Sequence, residues 1–307
     1  MSGNRPQELM TGNEAIARGA AEAGVGVCTS YPGTPSTEIA TEFSRLAEET
    51  GALVRWSVNE KVALEIAAGA SWMGIPALCS MKSLGLNVAS DFLLNVNLSG
   101  TGPGGLVIVV CDDPRGHSSS NEQDSRFYAR AAYIPLLEPT TAEQAKGCVR
   151  LALEVSQRWE LPVMIRSTTR LSHTQMPVTL GEVPTVECDA RQSIPEGLFN
   201  VPVPHLRHKM LLEKIEEVEE MFEKSTFNST TASPDGTQPF GAIASGVCSL
   251  YARDALEART LTGWQLLSLV TTHPLPTQLV RQFVEGVDTV LVVEAVSYTH
   301  LTLPTKA

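Results

Sequence analysis

The chain has 307 residues, enough for one large domain or two ordinary ones, which excludes a mini-protein scaffold. Apolar residues make up 43% and charged ones 19%, below the usual charged share of about 25%, so disorder over most of the chain is excluded. With 23 Lys+Arg against 34 Asp+Glu the net charge is −11, which repels phosphate backbones and makes nucleic acid a poor partner.

The opening stretch MSGNRPQELM is polar and has no apolar leader core. No run approaches the ~20 apolar residues that a membrane span requires, so no membrane contact is expected and a cytoplasmic protein is. Between residues 21 and 170, short β-rich runs alternate with helical patterns: GVGVCTS before a helix over 34–49, LVRWSV before 59–73, and PALCSM before 84–98. GLVIVV, a polar stretch, IPLLE, a helix over 141–158 and PVMIR continue the series. Strand and helix alternating at this spacing predict a doubly wound parallel α/β sheet covered by helices on both faces. Ligands on such sheets bind beyond the carboxyl ends of the strands.

From about 171 to 238 the pattern gives way to extended, proline-marked chain, one charged helix over 205–224, and the polar tract STFNSTTASPDGTQP. This reads as a linker whose helix docks through Leu206, Met210, Ile215, Val218 and Phe222. From Phe240 a smaller α/β unit follows: GAIASGV, a helix over 249–258, WQLLSLV, a helix over 276–284 and TVLVVE. The last twelve residues, VSYTHLTLPTKA, resemble the translated read-through of a sequencing adapter and are set aside, with the natural protein expected to continue past residue 295. The six cysteines, Cys28, Cys79, Cys111, Cys148, Cys188 and Cys248, stand singly, several in apolar runs, and are expected as buried reduced thiols.

Four segments could carry chemistry. In Tyr31-Pro32-Gly33-Thr34-Pro35-Ser36, Thr34 suits an N-cap and Pro35 the first helical position, giving a helix start that favours an anion; a capped helix without a ligand accounts for the same residues. Asn59 suits the next N-cap and puts Glu60 in a first turn, where the helix dipole alone would justify a carboxylate. The small residues Ala63, Ala67, Ala68, Gly69 and Ala70 that follow let a backbone or flat ligand come close. Lys82 lies directly beyond a strand, where an ammonium would meet an anion or simply solvent. After the most apolar strand, Ser119 with Glu122 and Ser120 with Gln123 each fit a capping box. Asp112 and Asp113 lack the neighbouring oxygen ligands of a calcium loop, so no metal site is expected. Neither a P-loop nor a dinucleotide fingerprint is present.

Taken in order, TGNEAIARGA, YPGTPSTEI, WSVNEKVALEIAAGAS, MKSLGLNVASDF, GGLVIVVCDDP, SSSNEQDSRFYAR and HPLPTQLVRQFVEGVDTVLVVE resemble the N-terminal part of the alpha subunits of indolepyruvate ferredoxin oxidoreductases, a thiamine-diphosphate-dependent 2-oxoacid:ferredoxin oxidoreductase family. The resemblance implies a pyrimidine-binding domain over 1–180, a linker with one helix over 181–238, a transketolase C-terminal-like domain over 239–295, and a non-native tail over 296–307. It makes Glu60 the catalytic carboxylate that hydrogen-bonds the ring nitrogen of the aminopyrimidine. Thr34, Ser119 and Ser120 become substrate-binding residues, and Pro32, Gly33, Lys82, Asn121, Glu122 and Gln123 join Glu60 around the cofactor.

The implied reaction is oxidative decarboxylation of arylpyruvates to arylacetyl-CoA with ferredoxin as electron acceptor. The implied partners are the small beta subunit, ferredoxin, CoA and the arylpyruvate. The family's GDG motif for Mg²⁺ is missing, since Pro234-Asp235-Gly236 lies in the polar tract, and so are its cysteine-rich 4Fe–4S clusters. Both are expected in sequence beyond this chain, which alone is expected to be inactive. Another 2-oxoacid:ferredoxin oxidoreductase, a non-redox thiamine-dependent decarboxylase and a non-enzymatic module on the same fold are the alternatives.

Overall fold

The computed structural model describes residues 6–186, 201, 203–234, 239–258 and 262–295. The tail over 296–307, Cys188 and the Asp235-Gly236 pair lie outside the described residues.

The chain enters through β1 (Gln7–Thr11) and α1 (Gly12–Glu22). Thr11 caps α1 with its hydroxyl on the Glu14 N–H, and the Glu14 carboxylate returns to the Thr11 N–H at 2.7 Å, a complete capping box. The main layer then forms from β2 (Val27–Ser30), α2 (Thr37–Thr50), β3 (Leu53–Trp56), α3 (Glu60–Trp72), β4 (Ala77–Lys82), α4 (Ser83–Ser99) and β5 (Leu106–Asp112). It is completed by α5 (Arg126–Ala131), β6 (Leu136–Leu137), α6 (Ala142–Trp159), β7 (Val163–Thr168), α7 (Thr169–His173) and β8 (Gln175–Thr179).

The seven-stranded sheet runs in the order β6-β7-β5-β4-β2-β3, all parallel, with a further antiparallel strand described below against β6. β5 is buried along its whole length and alternates perfectly. Val107, Val109 and Cys111 face the layer of α1, α2 and α6, whereas Leu106, Ile108 and Val110 face α3, α4 and α5. Helices on both faces are what a near-continuous apolar strand requires. On the first face α1 and α6 approach until a methyl at Gly19 would overlap the Lys146 carbonyl.

The remaining elements are α8 (Pro204–Glu223), β9 (Ser229–Ala232), β10 (Phe240–Ser245), α9 (Cys248–Ala258), β11 (Trp264–Leu269), β12 (Thr271–His273), α10 (Thr277–Glu285) and β13 (Thr289–Val293). A second sheet has the order β13-β10-β11-β9, parallel except for β9. Its apolar runs and helices lie where the sequence predicts them.

Four features differ from the sequence reading. First, the polar tract expected as linker contributes β9, and Asn228 just before it accepts from the N–H groups of Val270 and Thr271 at 2.9 and 3.1 Å. Second, β12 leaves the second sheet at once and pairs with β6 of the first, three residues that are too few to show a period. Third, α8 buries Leu211, Ile215, Val218 and Phe222, while Leu206 and Met210 are exposed. The docked seam therefore begins one turn later than expected, because the first turn of α8 precedes its contact with the core. β1 and β8, not foreseen, form a two-stranded antiparallel ribbon. Among the described residues no helix is long and apolar enough to cross a membrane.

Candidate functional site

The strand order fixes where a ligand can bind. From β2 the chain moves outward to β3 and then crosses back to β4 on the other side, so the connections leaving the neighbouring strands β2 and β4 diverge to opposite faces. That divergence opens a crevice at the carboxyl ends of β2 and β4. The segments entering it are residues 31–36, the start of α3 with Glu60, Lys82 with the start of α4, and the loop 113–125 after β5.

Glu60 opens α3 at this edge of the sheet. Asn59 caps α3 as expected, its side-chain oxygen accepting from the Val62 N–H at 2.9 Å, and this fixes the direction of the first turn. The α3 helix can sit low on the sheet because Ala63, Ala67 and Ala68 are small and fully buried, and the Ala63 carbonyl accepts from the Thr29 hydroxyl of β2 at 2.8 Å. Glu60 is consequently only 8% exposed, and no described residue donates a hydrogen bond to its carboxylate. Its Oε1 packs on Gly85 in the first turn of α4, where any methyl would overlap it. The same carboxylate lies close enough to act on Cys79; burial foremost, with a smaller push from Glu60, raises that thiol to about 12.

A buried carboxylate without a donor is costly unless something supplies one. Gly85 leaves room for the Glu60 carboxylate against α4, and that carboxylate, with no described donor, suits a flat ring carrying an N–H. An aminopyrimidine offers such a ring N–H in its protonated or imino form, so the residues present fit thiamine diphosphate on this side.

Residues 31–36 differ from expectation. Thr34 does not cap a helix and Pro35 does not open one: Gly33 to Ser36 form a tight turn, with the Ser36 N–H and hydroxyl both on the Gly33 carbonyl at 2.8 and 2.7 Å. The helix α2 starts at Thr37, whose hydroxyl accepts from the Gly33 N–H at 2.9 Å. The turn wins because Ser36 satisfies Gly33 locally, leaving no orphan N–H for Thr34 to receive. Pro32 and Thr34 are exposed at the mouth of the crevice, and the stem of Lys82 lies over Gly33. The Lys82 ammonium reaches the Ser118 carbonyl at 3.2 Å, and the Ser118 hydroxyl donates to the Thr34 carbonyl at 3.1 Å. Thr34, Lys82 and the loop after β5 are thereby joined.

The loop holds no capping box. Ser119 donates to Asp113 at 2.8 Å, Glu122 accepts from the Arg115 N–H at 3.0 Å, and the next helix, α5, starts only at Arg126. Asp113 is the knot: its carboxylate accepts from the Ser118 N–H, the Ser118 and Ser119 hydroxyls and the Thr169 hydroxyl. Burial alone would raise this carboxyl, but those hydrogen bonds outweigh it and bring it down to about 2. The Ser119 hydroxyl is thus spent as a donor to Asp113 and does not stand as an acceptor at a helix start. Gln123 ties the far end of the loop to α4 through the Ser83 carbonyl at 2.6 Å and the Asn87 side chain, and Asn121 donates to Gln123 at 3.2 Å. Ser120 is exposed.

Behind the loop, Arg166 of β7 is fully enclosed, with Asp112 at 2.6 Å and Glu138 at 2.5 Å. Burial raises the Asp112 carboxyl even though Arg166 opposes the shift. Asp112 and Asp113 thus hold structure, and among the described residues no three His, Cys, Asp or Glu side chains converge on a metal position. Gly85, Asp113 and Thr169 were not singled out as site residues from the sequence. A glycine inside the helical run SLGLN was the available sign of a close approach.

A parallel sheet whose switch point presents a buried carboxylate with no described donor defines the ligand-binding edge of a doubly wound α/β fold. The family model for pyruvate flavodoxin/ferredoxin oxidoreductase, thiamine diphosphate-binding, matches residues 18–198. The chain belongs to that family. It is 41% identical over 293 residues to the indolepyruvate oxidoreductase subunit IorA of Pyrococcus abyssi, a match covering 93% of this chain and 45% of the relative. To the 2-oxoglutarate synthase subunit KorA of Methanothermobacter marburgensis it is 25% identical over 201 residues, 62% of this chain and 52% of the relative. The chain spans about half the length of the curated relatives it matches. Among solved structures, a 2-oxoglutarate:ferredoxin oxidoreductase from Magnetococcus marinus, with 2-oxoglutarate, coenzyme A and succinyl-CoA bound, shares the fold at a TM-score of 0.78 and 16% identity, over 96% of this chain and 59% of that one.

Proposed function

We propose that the chain is the aminopyrimidine-binding part of an indolepyruvate:ferredoxin oxidoreductase alpha subunit, a cytoplasmic enzyme that oxidatively decarboxylates arylpyruvates to arylacetyl-CoA. The observation that carries this reading is the buried Glu60 carboxylate facing Gly85 without a donor. Thiamine diphosphate, when bound, supplies a nucleophilic carbon and a sink for the electrons that decarboxylation leaves behind. Glu60 holds a proton shared with the ring nitrogen of the aminopyrimidine, in a setting made dry by α3 and α4. Thr34, at the mouth, orients the carboxylate of the 2-oxo acid, and Lys82 beside it faces the cofactor. Ser119 and Ser120 line the same side, while Pro32, Gly33, Asn121, Glu122 and Gln123 shape the wall that excludes water.

Residues 1–180 form the pyrimidine-side unit in this reading and 239–295 the transketolase C-terminal-like one, joined by the segment that carries α8. Mg²⁺ and 4Fe–4S clusters belong to sequence this chain does not contain, and the beta subunit, ferredoxin, CoA and the arylpyruvate are its partners. Identity near 40% to IorA subunits along nearly the whole chain, against 25% over a shorter stretch to KorA, supports an aryl substrate over 2-oxoglutarate. The test is the assembled oxidoreductase supplied in turn with indolepyruvate, pyruvate and 2-oxoglutarate, with CoA-dependent reduction of ferredoxin as readout. Preference for indolepyruvate is expected; preference for either other acid would move the protein within the family. Decarboxylation without ferredoxin reduction would make it non-redox.

A further inference from the structure

Two buried arginines tie the smaller second unit to the loop after β5. Arg126, which opens α5, is fully enclosed, and so is the side chain of Glu294 just after β13. The Arg126 guanidinium forks over Asp124, Nε donating to Oδ1 at 2.8 Å and Nη2 to Oδ2 at 2.6 Å. Its outer edge is held by the second unit: Nη1 donates to Glu294 at 2.9 Å and Nη2 to the Ala295 carbonyl at 2.8 Å. A second route runs beside the first. The Glu138 N–H donates to the Val270 carbonyl, between β11 and β12, at 2.7 Å, and the Glu138 carboxylate pairs with Arg166. Arg166 pairs in turn with Asp112, which accepts from the Ser125 hydroxyl at 2.6 Å and the Ser125 N–H at 3.2 Å. Both routes end on Asp124-Ser125-Arg126.

Those three residues hold the end of the loop that rests on α4. Gln123, directly before Asp124, donates to the Ser83 carbonyl at 2.6 Å and exchanges amide hydrogen bonds with Asn87 at 2.9 and 3.1 Å. From α5, the Tyr128 hydroxyl donates to the same Asn87 at 2.6 Å. Ser83 and Asn87 flank Gly85 on α4, the residue on which the Glu60 carboxylate packs. Glu60 is therefore seated from one side by its own helix and from the other by a run of hydrogen bonds that begins in the second unit. Only a planar fork can grip Asp124 twice and still reach Glu294 and the Ala295 carbonyl; an ammonium is a single point of charge. Enclosure makes this arrangement rigid in a way that a solvated surface pair is not.

We propose that Arg126 is a positioning residue for Glu60, anchored by Glu294, so that the second unit sets where the Glu60 carboxylate stands through Asp124, Gln123 and the first turn of α4. The proposal rests on the role given to Glu60 above. Residues in one hydrogen-bond network couple by about 2- to 150-fold, and displacement of a reacting group by about 1 Å costs about 100-fold, so a loss of about tenfold is expected when the fork is removed.

The test is a double-mutant cycle in the assembled oxidoreductase, with kcat and KM for indolepyruvate read from CoA-dependent ferredoxin reduction. Arg126→Lys keeps the buried charge and loses the fork; Glu294→Gln keeps the shape and a neutral acceptor. Arg126→Lys should lower kcat about tenfold and Glu294→Gln by less. KM for the 2-oxo acid should stay unchanged, because the Thr34 mouth is tied separately through Ser118 to Asp113. On a Glu60→Gln background neither substitution should lower kcat further. A merely structural role would lower both backgrounds by the same factor; that result, or wild-type kcat in both folded variants, would overturn the proposal. Melting temperatures check folding, and Glu294→Gln carries the same cycle if Arg126→Lys does not assemble. Full turnover by Glu60→Gln alone would defeat the role of Glu60 and the proposal with it, whereas equal losses on an impaired Glu60→Gln background would defeat the proposal alone.

Discussion

Replacing Gly85 with alanine separates the carboxylate's position from the stability of the fold. A methyl there would stand well inside van der Waals contact of Oε1, Cγ and Cδ of Glu60. Alanine in a helix gains about 1 kcal/mol over glycine, whereas forcing a methyl into a filled site costs about 1–3 kcal/mol. Because the atoms in the way belong to the far end of a side chain that can rotate, the cost falls at the lower end and the two effects nearly cancel. The melting temperature should then move by only a few degrees, at about 2–4 °C per kcal/mol for a chain of this size. The function should not be spared: the carboxylate must retreat by about 1 Å, and misplacement on that scale costs about 100-fold in rate. Calorimetry on the chain and 2-oxo acid-dependent ferredoxin reduction by the assembled oxidoreductase read the two effects apart. A Gly85→Ala enzyme with wild-type rate, or one whose rate falls only because it has melted, would refute the reasoning.

Asp113→Asn should destabilise the chain by about 2 kcal/mol at neutral pH, the worth of a carboxyl held near 2 when its unfolded value is about 3.9. Because the folded value is depressed, that stability is present above the unfolded value and lost as the pH falls through about 2. The gap between wild type and variant in urea titrations should therefore narrow on acidification from about pH 4 to pH 2. Arg166→Met should cost about 3–5 kcal/mol by leaving Asp112 and Glu138 buried without their cation. Since burial raises the Asp112 carboxyl, the folded state takes up a proton more readily than the unfolded one and the deficit should shrink in acid; a pH-independent deficit would contradict it. Cys28, Cys79, Cys111 and Cys148 are buried with thiols pushed up, Cys79 and Cys111 to about 12, so peptide mapping after alkylation of the native chain should find all four unmodified. Labelling of any of them at the rate of an exposed thiol would contradict their burial.

The sheet was legible because short apolar runs alternate with amphipathic helices, and β5, seven buried residues, is the plainest of those runs. β12 and β9 were not, since their pairing is decided by Asn228 and the edge of β6 rather than by any period of their own. Glu60 was legible as a helix-start acid, and its cap by Asn59 was visible in the sequence. Its burial was not, because burial depends on Ala63 meeting Thr29 and on Gly85 arriving from another helix. Thr34 was misjudged as a cap for a related reason: the Ser36 N–H that a Thr34 cap would receive is already donated to the Gly33 carbonyl, and only the folded turn shows it. The serines of the loop after β5 were likewise assigned to caps when Asp113, the residue directly after β5, was the stronger acceptor.

The central claim is that the Glu60 carboxylate, buried and without a donor in the protein, meets a ring nitrogen of thiamine diphosphate. The most direct measurement is the turnover of the assembled oxidoreductase carrying Glu60→Ala, with folding checked by its melting temperature. A loss of more than ~100-fold, the scale of removing an acid–base group, is predicted. Turnover equal to wild type in the folded variant would contradict it.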